Sequence, residues 1–324
     1  MSGVVRVGSR GSRLALVQAE WVRDRIAARR PHLRAEIEVI ATKGDKILDA
    51  PLAKIGDKGL FTKELETALL EGRIDVAVHS AKDMPTAVPA GLAIIAFTER
   101  EDVRDVFVPH PALGAERRAD AGPLTLGDVP RGARVGSSSL RRRSQLLALR
   151  PDLDVVDIRG NVQTRLRKLE DEDMAGTILA AAGLARLDLS GIAGFAFAFD
   201  EMLPAVGQGA LAIEAKADHP LVEDLRAALD DRRSALAVRA ERSLLAALEG
   251  GCQVPIAAHA TWAGGDGRSG GMTLDAYVGS LDGRRSVRGT RAGDADAPEA
   301  VGAALAAELL ERGAGDILDE IRRG

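Results

Sequence analysis

The sequence predicts an α/β protein in which two doubly wound domains flank a cleft and a small α+β domain with an antiparallel sheet follows. Three observations predict this class. Apolar strand-like runs alternate with helical segments through most of the chain. A strand that runs into a serine-containing turn and a helix start occurs at Arg6 to Ser12 and again at Arg134 to Arg141. Near the C-terminus, segments alternate with the period of antiparallel strands.

The composition is that of an ordinary globular protein of two or three domains, with 324 residues, 46% hydrophobic and 28% charged. The first residues lack the apolar run of a secretory signal, and no stretch offers the ~20 apolar residues that a membrane-spanning helix needs. The single cysteine agrees with a reducing compartment. We therefore expect a cytoplasmic protein with no membrane partner. The scattered histidines predict no metal site.

The charge is unevenly distributed. The formal net charge is -4, yet ten basic and three acidic residues between Arg131 and Lys168 leave that segment at +7. Aromatic residues, on which nucleic-acid bases stack, make up only 3% of the chain. A compact anionic small molecule is therefore a better partner than a nucleic acid.

The first domain opens with a predicted anion site. The strand Val4 to Val7 runs into a glycine and serine turn, and Ser12 is predicted to N-cap the following helix. Free N–H groups and the positive end of the helix dipole then point to one spot. On this helix, the spacing of Leu14, Val17 and Trp21 predicts a shared buried face.

The rest of the first domain follows in short elements. A strand is predicted at Ile37 to Ala41. Thr42 to Gly59 has no clean period and contains four lysines, which is typical of a lid or a binding loop. A helix is predicted from Thr62 to Gly72. The next strand, Ile74 to Val78, then delivers His79 to Pro85 to its carboxyl end.

Lys82 and Asp83 follow the carboxyl end of that strand. Ligands bind beyond the carboxyl ends of strands in α/β sheets, so both residues are candidates for chemistry. The alternative is that Asp83 only caps the turn before Pro85, a role that aspartate often has.

The chain is predicted to cross to a second domain at Glu99 to Arg104 and to return at Leu203 to Glu214. Between the crossings, strands are predicted at Asp105 to Val108 and Thr177 to Ala182. A third strand-to-helix junction is predicted at Val155 to Arg165. Two crossings would make the first domain discontinuous in sequence.

Three helix N-termini with arginines are more than one phosphate needs. Arginine suits planar, bidentate pairing with carboxylates, so the predicted ligand carries several of them. Successive helical residues are ~100° apart, so at most two of Arg141, Arg142 and Arg143 can face one ligand. We expect Arg143 to point away. The alternative is that all three line a solvated helix.

The third domain is predicted to start with a helix at Ala235 to Leu248. Strands follow at Thr273 to Val278 and Ser286 to Arg291. Pro298 opens a last helix that ends at Gly313. Its buried face is predicted to consist of Val301, Leu305 and Leu309.

The only cysteine, Cys252, lies in the segment Leu248 to Pro255. Two glycines before it and a proline after it predict a loop tip that follows a helix. With one thiol, neither an internal disulfide nor a multi-thiolate metal site can form. Cys252 is either a buried small hydrophobic residue or a chemically used sulfur.

The expected domain limits follow from these crossings. They are residues 1–98 with 207–228 for domain 1, residues 103–203 for domain 2 and residues 232–324 for domain 3.

Six motifs, in order along nearly the whole chain, resemble those of the porphobilinogen deaminase family, also called hydroxymethylbilane synthases. They are Arg10–Ser12, His79–Pro85, Ser138–Arg142, Arg159–Arg165, Leu203–Gly209 and Glu249–Pro255. The resemblance implies two periplasmic-binding-protein-like domains and a third domain that carries the cofactor cysteine.

The resemblance also implies an activity, that of a transferase in tetrapyrrole (heme) biosynthesis. Family members carry a dipyrromethane cofactor, joined through a thioether to the loop cysteine, here Cys252. They condense four porphobilinogen molecules head to tail with loss of ammonia and release linear hydroxymethylbilane by hydrolysis. Loss of ammonia leaves a cationic azafulvene, which the carboxylate of Asp83, the implied catalytic residue, would stabilise. By analogy we expect a monomer.

Every pyrrole of such a ligand bears an acetate and a propionate, which accounts for the arginines. The resemblance implies that six residues bind the cofactor, namely Lys82, Ser138, Ser139, Arg141, Arg142 and Gln208. It also implies that four residues bind the incoming substrate, namely Arg10, Ser12, Arg159 and Arg165.

Two other interpretations remain open from the residues alone. A non-catalytic, two-domain small-anion binding protein would also place serine-rich helix starts around a cleft, but it gives Cys252 no role. A regulatory or nucleic-acid-binding protein that uses Arg141 to Arg143 is disfavoured by the acidic net charge and the few aromatic residues.

Overall fold

The computed structural model describes residues 3–42, 62–115, 122–249, 254–262 and 271–323. All but the first residue of the predicted lid, Thr42 to Gly59, lies outside this part of the chain, and so does Cys252. No helix in the described ranges is both long and apolar enough to span a bilayer.

Strands and helices are numbered in chain order. The strands are β1 (Gly3–Ser9), β2 (Leu33–Val39), β3 (Val76–Ser80), β4 (Leu92–Phe97), β5 (Asp105–Pro109), β6 (Arg134–Gly136), β7 (Asp154–Val156), β8 (Gly176–Ala180), β9 (Phe195–Ala196), β10 (Leu211–Lys216), β11 (Ile256–Trp262), β12 (Met272–Gly279) and β13 (Ser286–Gly293). The helices are α1 (Arg13–Arg29), α2 (Lys63–Leu70), α3 (Pro111–Ala115), α4 (Leu140–Leu149), α5 (Val162–Asp171), α6 (Ala181–Arg186), α7 (Val222–Leu229), α8 (Arg232–Ala247), α9 (Pro298–Glu311) and α10 (Ala314–Arg323).

Two five-stranded sheets share one topology. The first sheet has the order β2-β1-β3-β10-β4, and the second has the order β7-β6-β8-β5-β9. In each, the first three strands are parallel and the fourth is antiparallel to both neighbours. The antiparallel strand is the one that follows a crossing of the chain, β5 on the outward passage and β10 on the return. The expected pair of α/β units is confirmed, with mixed rather than purely parallel sheets.

The third sheet is an antiparallel meander in the order β11-β12-β13. Apolar side chains from α8, α9 and α10 pack on it in one core. The predicted face of α9 is confirmed because Val301, Leu305 and Leu309 are all buried. The small C-terminal unit with an antiparallel sheet is therefore also present.

The differences from the predicted elements include two strand boundaries and two elements that were not predicted. β2 begins at Leu33 rather than at Ile37, because only every second residue of this edge strand turns toward the core and the apolar run is broken. β8 ends at Ala180, directly before α6 begins at Ala181, because alanine and leucine are good helix formers. β11 was not predicted, since its alanines mask the alternation. A further helix, α10, follows Gly313.

The predicted buried face of α1 is wrong. Trp21 is 38% exposed, and Leu14 and Val17 are only partly buried. The buried side chains of α1 are Ala15, Gln18, Ala19, Val22 and Ile26. The small alanines let the helix approach the sheet closely, so the larger Leu14 and Val17 lie beside the contact instead of within it.

A buried carboxylate joins the two crossings to the small C-terminal unit, which is called the third unit below. Glu241 of α8 is fully buried and pairs with Arg100 of the first crossing through two hydrogen bonds of 2.7 and 2.9 Å. It also accepts from the N–H of Gly207 in the return crossing at 2.8 Å and from the N–H of Ala260 in β11 at 2.9 Å. One side chain therefore holds together three separate parts of the chain.

We expect Glu241→Gln to lower the free energy of unfolding by about 3 to 5 kcal/mol, because it leaves the Arg100 guanidinium buried without its counter-ion. The exposed pair of Arg239 and Glu299 provides the control, and Glu299→Gln should cost about 1 kcal/mol or less. Urea unfolding of both variants measures the difference. Equal losses of unfolding free energy in the two variants would show that the buried pair stabilises the protein no more than the exposed pair does.

Candidate active site

The loop after β3 carries the predicted catalytic carboxylate. Ala81 to Asp83 form a single 3-10 turn, anchored because Ala81 and Met84 are buried among apolar side chains. Asp83 itself is exposed. Its carboxylate accepts no hydrogen bond from the described residues, so it does not serve as a cap of the turn. The backbone is fixed and the carboxylate stays open to a ligand.

A recess opens beside this turn, between the N-terminus of α1 and the end of β3. Ser12 N-caps α1, as predicted, by accepting from the Ala15 N–H at 3.4 Å. Gln18 Nε2 donates to Ser80 Oγ at 3.1 Å and ties α1 to β3. The recess is lined by Arg10, Ser12, Leu14, Ala15, Gln18, Thr62, Val78, His79, Ser80 and Asp83. Two predicted substrate residues therefore share one recess with the predicted catalytic carboxylate.

The second sheet brings an arginine into the electrostatic range of this carboxylate. Gly160 turns the chain into α5 with a φ of +115°, and a Cβ there would meet a neighbouring side chain at 2.5 Å. Arg165 Nε donates to the Gly160 carbonyl at 2.9 Å. Burial lowers the pKa of Arg165 to about 10, neighbouring arginines add to this, and the charge of Asp83 opposes it. Groups from the two sheets thus act on one another across the cleft.

Arg159 carries an unused donor next to Arg165. Its Nη1 atom is buried and has no hydrogen-bond partner among the described residues. A buried donor without an acceptor is unfavourable by about 1 to 3 kcal/mol, and an anionic oxygen would remove that cost. The two arginines are therefore suited to bind a carboxylate.

The predicted serines are engaged with the protein itself. Ser138 Oγ donates to the Ile158 carbonyl at 2.7 Å and joins the loops that precede α4 and α5. Ser139 N-caps α4 by accepting from the Arg142 N–H at 3.4 Å. Both hydroxyls thus shape the helix starts that face the cleft.

Arg141 and Arg142 are buried and both bind Asp105. Arg141 Nη1 donates to Asp105 Oδ2 at 2.6 Å, and Arg142 Nη2 donates to Asp105 Oδ1 at 2.7 Å. Arg143 Nη1 donates instead to the Val155 carbonyl at 2.9 Å. Arg143 therefore binds a different partner from the other two arginines, and its expected role as a bystander to the ligand stays a prediction.

Asp105 is the residue that the sequence analysis missed. It was predicted only as the start of a strand, yet it is fully buried and balances two arginines. The available signal was an aspartate that opens an apolar strand, because a carboxylate at a buried position must have a cationic partner.

Lys82 joins this group through Gln208. Lys82 Nζ donates to Gln208 Oε1 at 3.5 Å, and Gln208 Nε2 donates to Asp105 Oδ1 at 3.0 Å. Lys82 keeps some accessible surface, but the protein desolvates its ammonium group and lowers its pKa to about 8. The charges of Asp83 and Asp105 oppose this shift. Hydrogen bonds and charge interactions thus connect Lys82 and Gln208 to Asp83, Asp105 and the two arginines.

The ends of the cysteine loop are fixed, although Cys252 lies outside the described residues. Arg322 Nη2 donates to the carbonyls of Leu248 and Glu249 at 3.1 and 3.3 Å. On the other side, the Gly279 N–H donates to the Pro255 carbonyl at 3.2 Å. The loop therefore starts and ends on the third unit.

The arrangement is suited to a polycarboxylate whose reaction develops positive charge. Guanidinium and ammonium groups surround the cleft, and one exposed carboxylate lies among them. The described part of the chain contains no group of three or more His, Cys, Asp or Glu side chains arranged to hold a metal ion.

Comparison with protein families gives two matches. Residues 5–224 match the model described as "Porphobilinogen deaminase, dipyromethane cofactor binding domain". Residues 235–311 match "Porphobilinogen deaminase, C-terminal domain". Together the two models cover most of the chain.

Three similar proteins are named porphobilinogen deaminase. The one from Desulforudis audaxviator is 52% identical over 99% of this chain and 98% of its own length. The one from Moorella thermoacetica is 50% identical over 98% of this chain and 96% of its own length. The one from Geobacter metallireducens is 48% identical over 98% of this chain and 94% of its own length.

Proposed function

The chain belongs to the porphobilinogen deaminase family, and from this premise we propose how its own residues carry the activity. The protein is a hydroxymethylbilane synthase, a transferase that uses a dipyrromethane cofactor. Its substrate is porphobilinogen, four molecules of which are joined head to tail with loss of ammonia. The linear product is then released by hydrolysis.

The cleft fits a cofactor with several carboxylates. Arg159 Nη1, which is buried and has no partner within the described ranges, and the desolvated cations of Arg165 and Lys82 are groups that such a ligand would satisfy. When bound, the cofactor supplies a nucleophilic pyrrole carbon at which chain growth begins. We propose that the sulfur of Cys252 anchors it.

The residues that would hold the cofactor come from both sheets and from the return crossing. They are Lys82, Ser138, Ser139, Arg141, Arg142 and Gln208. Arg141 and Arg142 already bind Asp105, so we propose that they act on the cofactor with their remaining N–H groups and their charge. The serine hydroxyls keep the helix starts in place.

The incoming porphobilinogen is bound by the other cations. We propose that Arg159 and Arg165 pair with its acetate and propionate, while Arg10 and the capped N-terminus at Ser12 bind it from the first sheet. A substrate held from both sides has its aminomethyl group near Asp83. Orientation of this kind lowers the barrier to bond formation.

Asp83 carries the chemistry in this proposal. The aminomethyl group of the substrate leaves from its protonated form, so the electron pair of the C–N bond goes with ammonia and the pyrrole becomes cationic. The carboxylate of Asp83 accepts a hydrogen bond from the pyrrole N–H and stabilises that positive charge. The same carboxylate would be placed to take up the proton that the condensation releases.

The observation that carries the proposal is an exposed carboxylate, that of Asp83, within electrostatic range of Arg165 from the opposite sheet. The test is to incubate the purified protein with porphobilinogen and measure ammonia. We expect one ammonia for each porphobilinogen consumed. A small-anion binding protein, the alternative interpretation, would bind porphobilinogen without releasing ammonia.

Three further proposals concern the domain limits, the oligomeric state and the location of the protein. We propose the domain limits 1–98 with 207–228, 103–203 and 232–324, supported by the sheet that each stretch joins. We also propose a monomer and a cytoplasmic location, by analogy with the family. Sedimentation of the purified protein tests the first of these two.

A further inference from the structure

We propose that Asp105 is a positioning residue. It fixes the guanidinium groups of Arg141 and Arg142. It also orients the side-chain amide of Gln208 so that the amide oxygen faces Lys82. The inference rests on the proposed function, because it assigns the placement of residues on the cofactor side of the cleft. Asp105 lies at the start of β5, directly after the first crossing, and is 0% exposed. It therefore acts on a ligand only through its neighbours.

The carboxylate is surrounded by donors. Arg141 Nη1 and Arg142 Nη2 donate to it at 2.6 and 2.7 Å, and Arg142 Nε adds a third hydrogen bond at 3.1 Å. Burial disfavours the charged form of Asp105, but the two guanidinium groups outweigh this effect and hold its pKa well below its usual range. Asp105 is thus a permanent anion between two permanent cations.

These hydrogen bonds fix the plane of each guanidinium group. Arg142 uses Nε and Nη2 on Asp105, while its Nη1 donates to the Ile178 carbonyl at 2.8 Å. Arg141 Nη1 is shared between Asp105 and the Leu203 carbonyl, 2.7 Å away. Guanidinium groups that are already held by hydrogen bonds lose little further freedom when they bind a ligand. Without the carboxylate, two buried cations would repel each other.

The same carboxylate sets the direction of the Gln208 amide. Gln208 Nε2 donates to Asp105 at 3.0 Å and to the Val103 carbonyl at 2.7 Å. Both acceptors require the NH2 end, so the amide oxygen is left to face Lys82 Nζ at 3.5 Å. A reversed amide would place two donors against one another and two acceptors against one another.

Asp105 therefore controls the protonation of the Lys82 amine in two ways, through its own charge and through the side-chain amide of Gln208. The pKa of Lys82 is about 8, and the groups that act on it are Asp83 from its own turn, Asp105 from β5, and Arg141 and Arg142 from α4. Removal of the Asp105 charge takes away an attraction for the ammonium ion. The pKa of Lys82 then falls, and the uncharged amine forms at lower pH.

The amine of Lys82 can be followed without any assay of turnover. The folded protein is treated with an amine-acylating reagent from pH 6 to pH 10, and labelling of the Lys82 peptide is measured by mass spectrometry. Intact mass of the same samples gives the fraction of protein that carries a two-pyrrole adduct. In the wild type we expect labelling to rise with a midpoint at or above pH 8, because the carboxylates of a bound cofactor would add to the negative charges that keep Lys82 protonated.

The Asp105→Asn variant should show a lower midpoint, with about threefold more labelling at pH 7, and a smaller fraction of protein with the adduct. The matched control is Asp75→Asn. Asp75 accepts three hydrogen bonds from Arg6 at the opposite, amino end of β3, so its loss removes a more exposed arginine–aspartate pair at the other end of the strand that precedes Lys82. The control should keep the wild-type labelling curve.

A labelling curve and adduct fraction in Asp105→Asn equal to those of the wild type would overturn the proposal. If this variant does not fold, Gln208→Met takes its place, because it removes the amide and leaves the bonds between Asp105 and the arginines intact. Its labelling midpoint should also fall, and an unchanged midpoint would overturn the proposal. A wild-type protein without an adduct would contradict the proposed function instead, while the labelling curves would still test Asp105.

Discussion

The Asp83→Asn variant should lose nearly all turnover, with kcat reduced about 100- to 1,000-fold. Asparagine keeps the size and a hydrogen-bond acceptor, but it cannot offset the positive charge that develops on the pyrrole when ammonia leaves. The cations of Lys82 and Arg165, which interact with Asp83 in the structure, would also lose an opposing charge. Initial rates of porphobilinogen consumption measure the effect.

The variant should fold normally, because Asp83 is exposed and its carboxylate accepts no hydrogen bond from the described residues. Its melting temperature and its intact mass should therefore resemble those of the wild type. Asp75→Asn again provides a control, since Asp75 precedes the amino end of the same strand. Activity of Asp83→Asn within threefold of the wild type would exclude Asp83 from the mechanism.

The second large effect is expected for Cys252→Ser. A serine oxygen at neutral pH is a far weaker nucleophile than a thiolate, so no thioether can form and the cofactor has no covalent anchor. We expect loss of turnover together with loss of the adduct. Serine is close to cysteine in size, so circular dichroism should show a folded protein.

This variant separates two functions of the cleft. The arginines and Asp83 remain in place, so porphobilinogen should still bind to Cys252→Ser, as fluorescence or calorimetry can show. Binding without turnover is the expected combination. Wild-type rates in this variant would mean that the sulfur is dispensable.

Much of the fold could be predicted because each α/β unit repeats one simple pattern. The strand, serine turn and helix start recur, and the structure places them at equivalent positions in two sheets. The face of α1 could not be predicted, since Ala15 and Ala19 contribute little to hydrophobic periodicity but allow the closest packing. β11 was missed for the same reason, because its alanines contribute little to the alternation of apolar and polar residues that predicts a strand.

The candidate site could be predicted only in part. The motifs that supply Asp83 and Arg159 follow strands, and the structure brings these strand ends to one cleft. The pairing of Arg141 and Arg142 with Asp105 could not be predicted, since it joins residues 36 and 37 positions apart through the topology of the second sheet. Long-range contacts of this kind depend on strand order, which the local sequence does not specify.

The central claim is that a sulfur on the third unit holds a two-pyrrole cofactor in an arginine-lined cleft. The most direct test is the intact mass of the purified wild-type protein, followed by peptide mapping. We expect a mass above that of the sequence by two pyrrole units, with the addition on the peptide that contains Cys252. A wild-type protein with the mass of its bare sequence, or with the addition on another residue, would contradict the account.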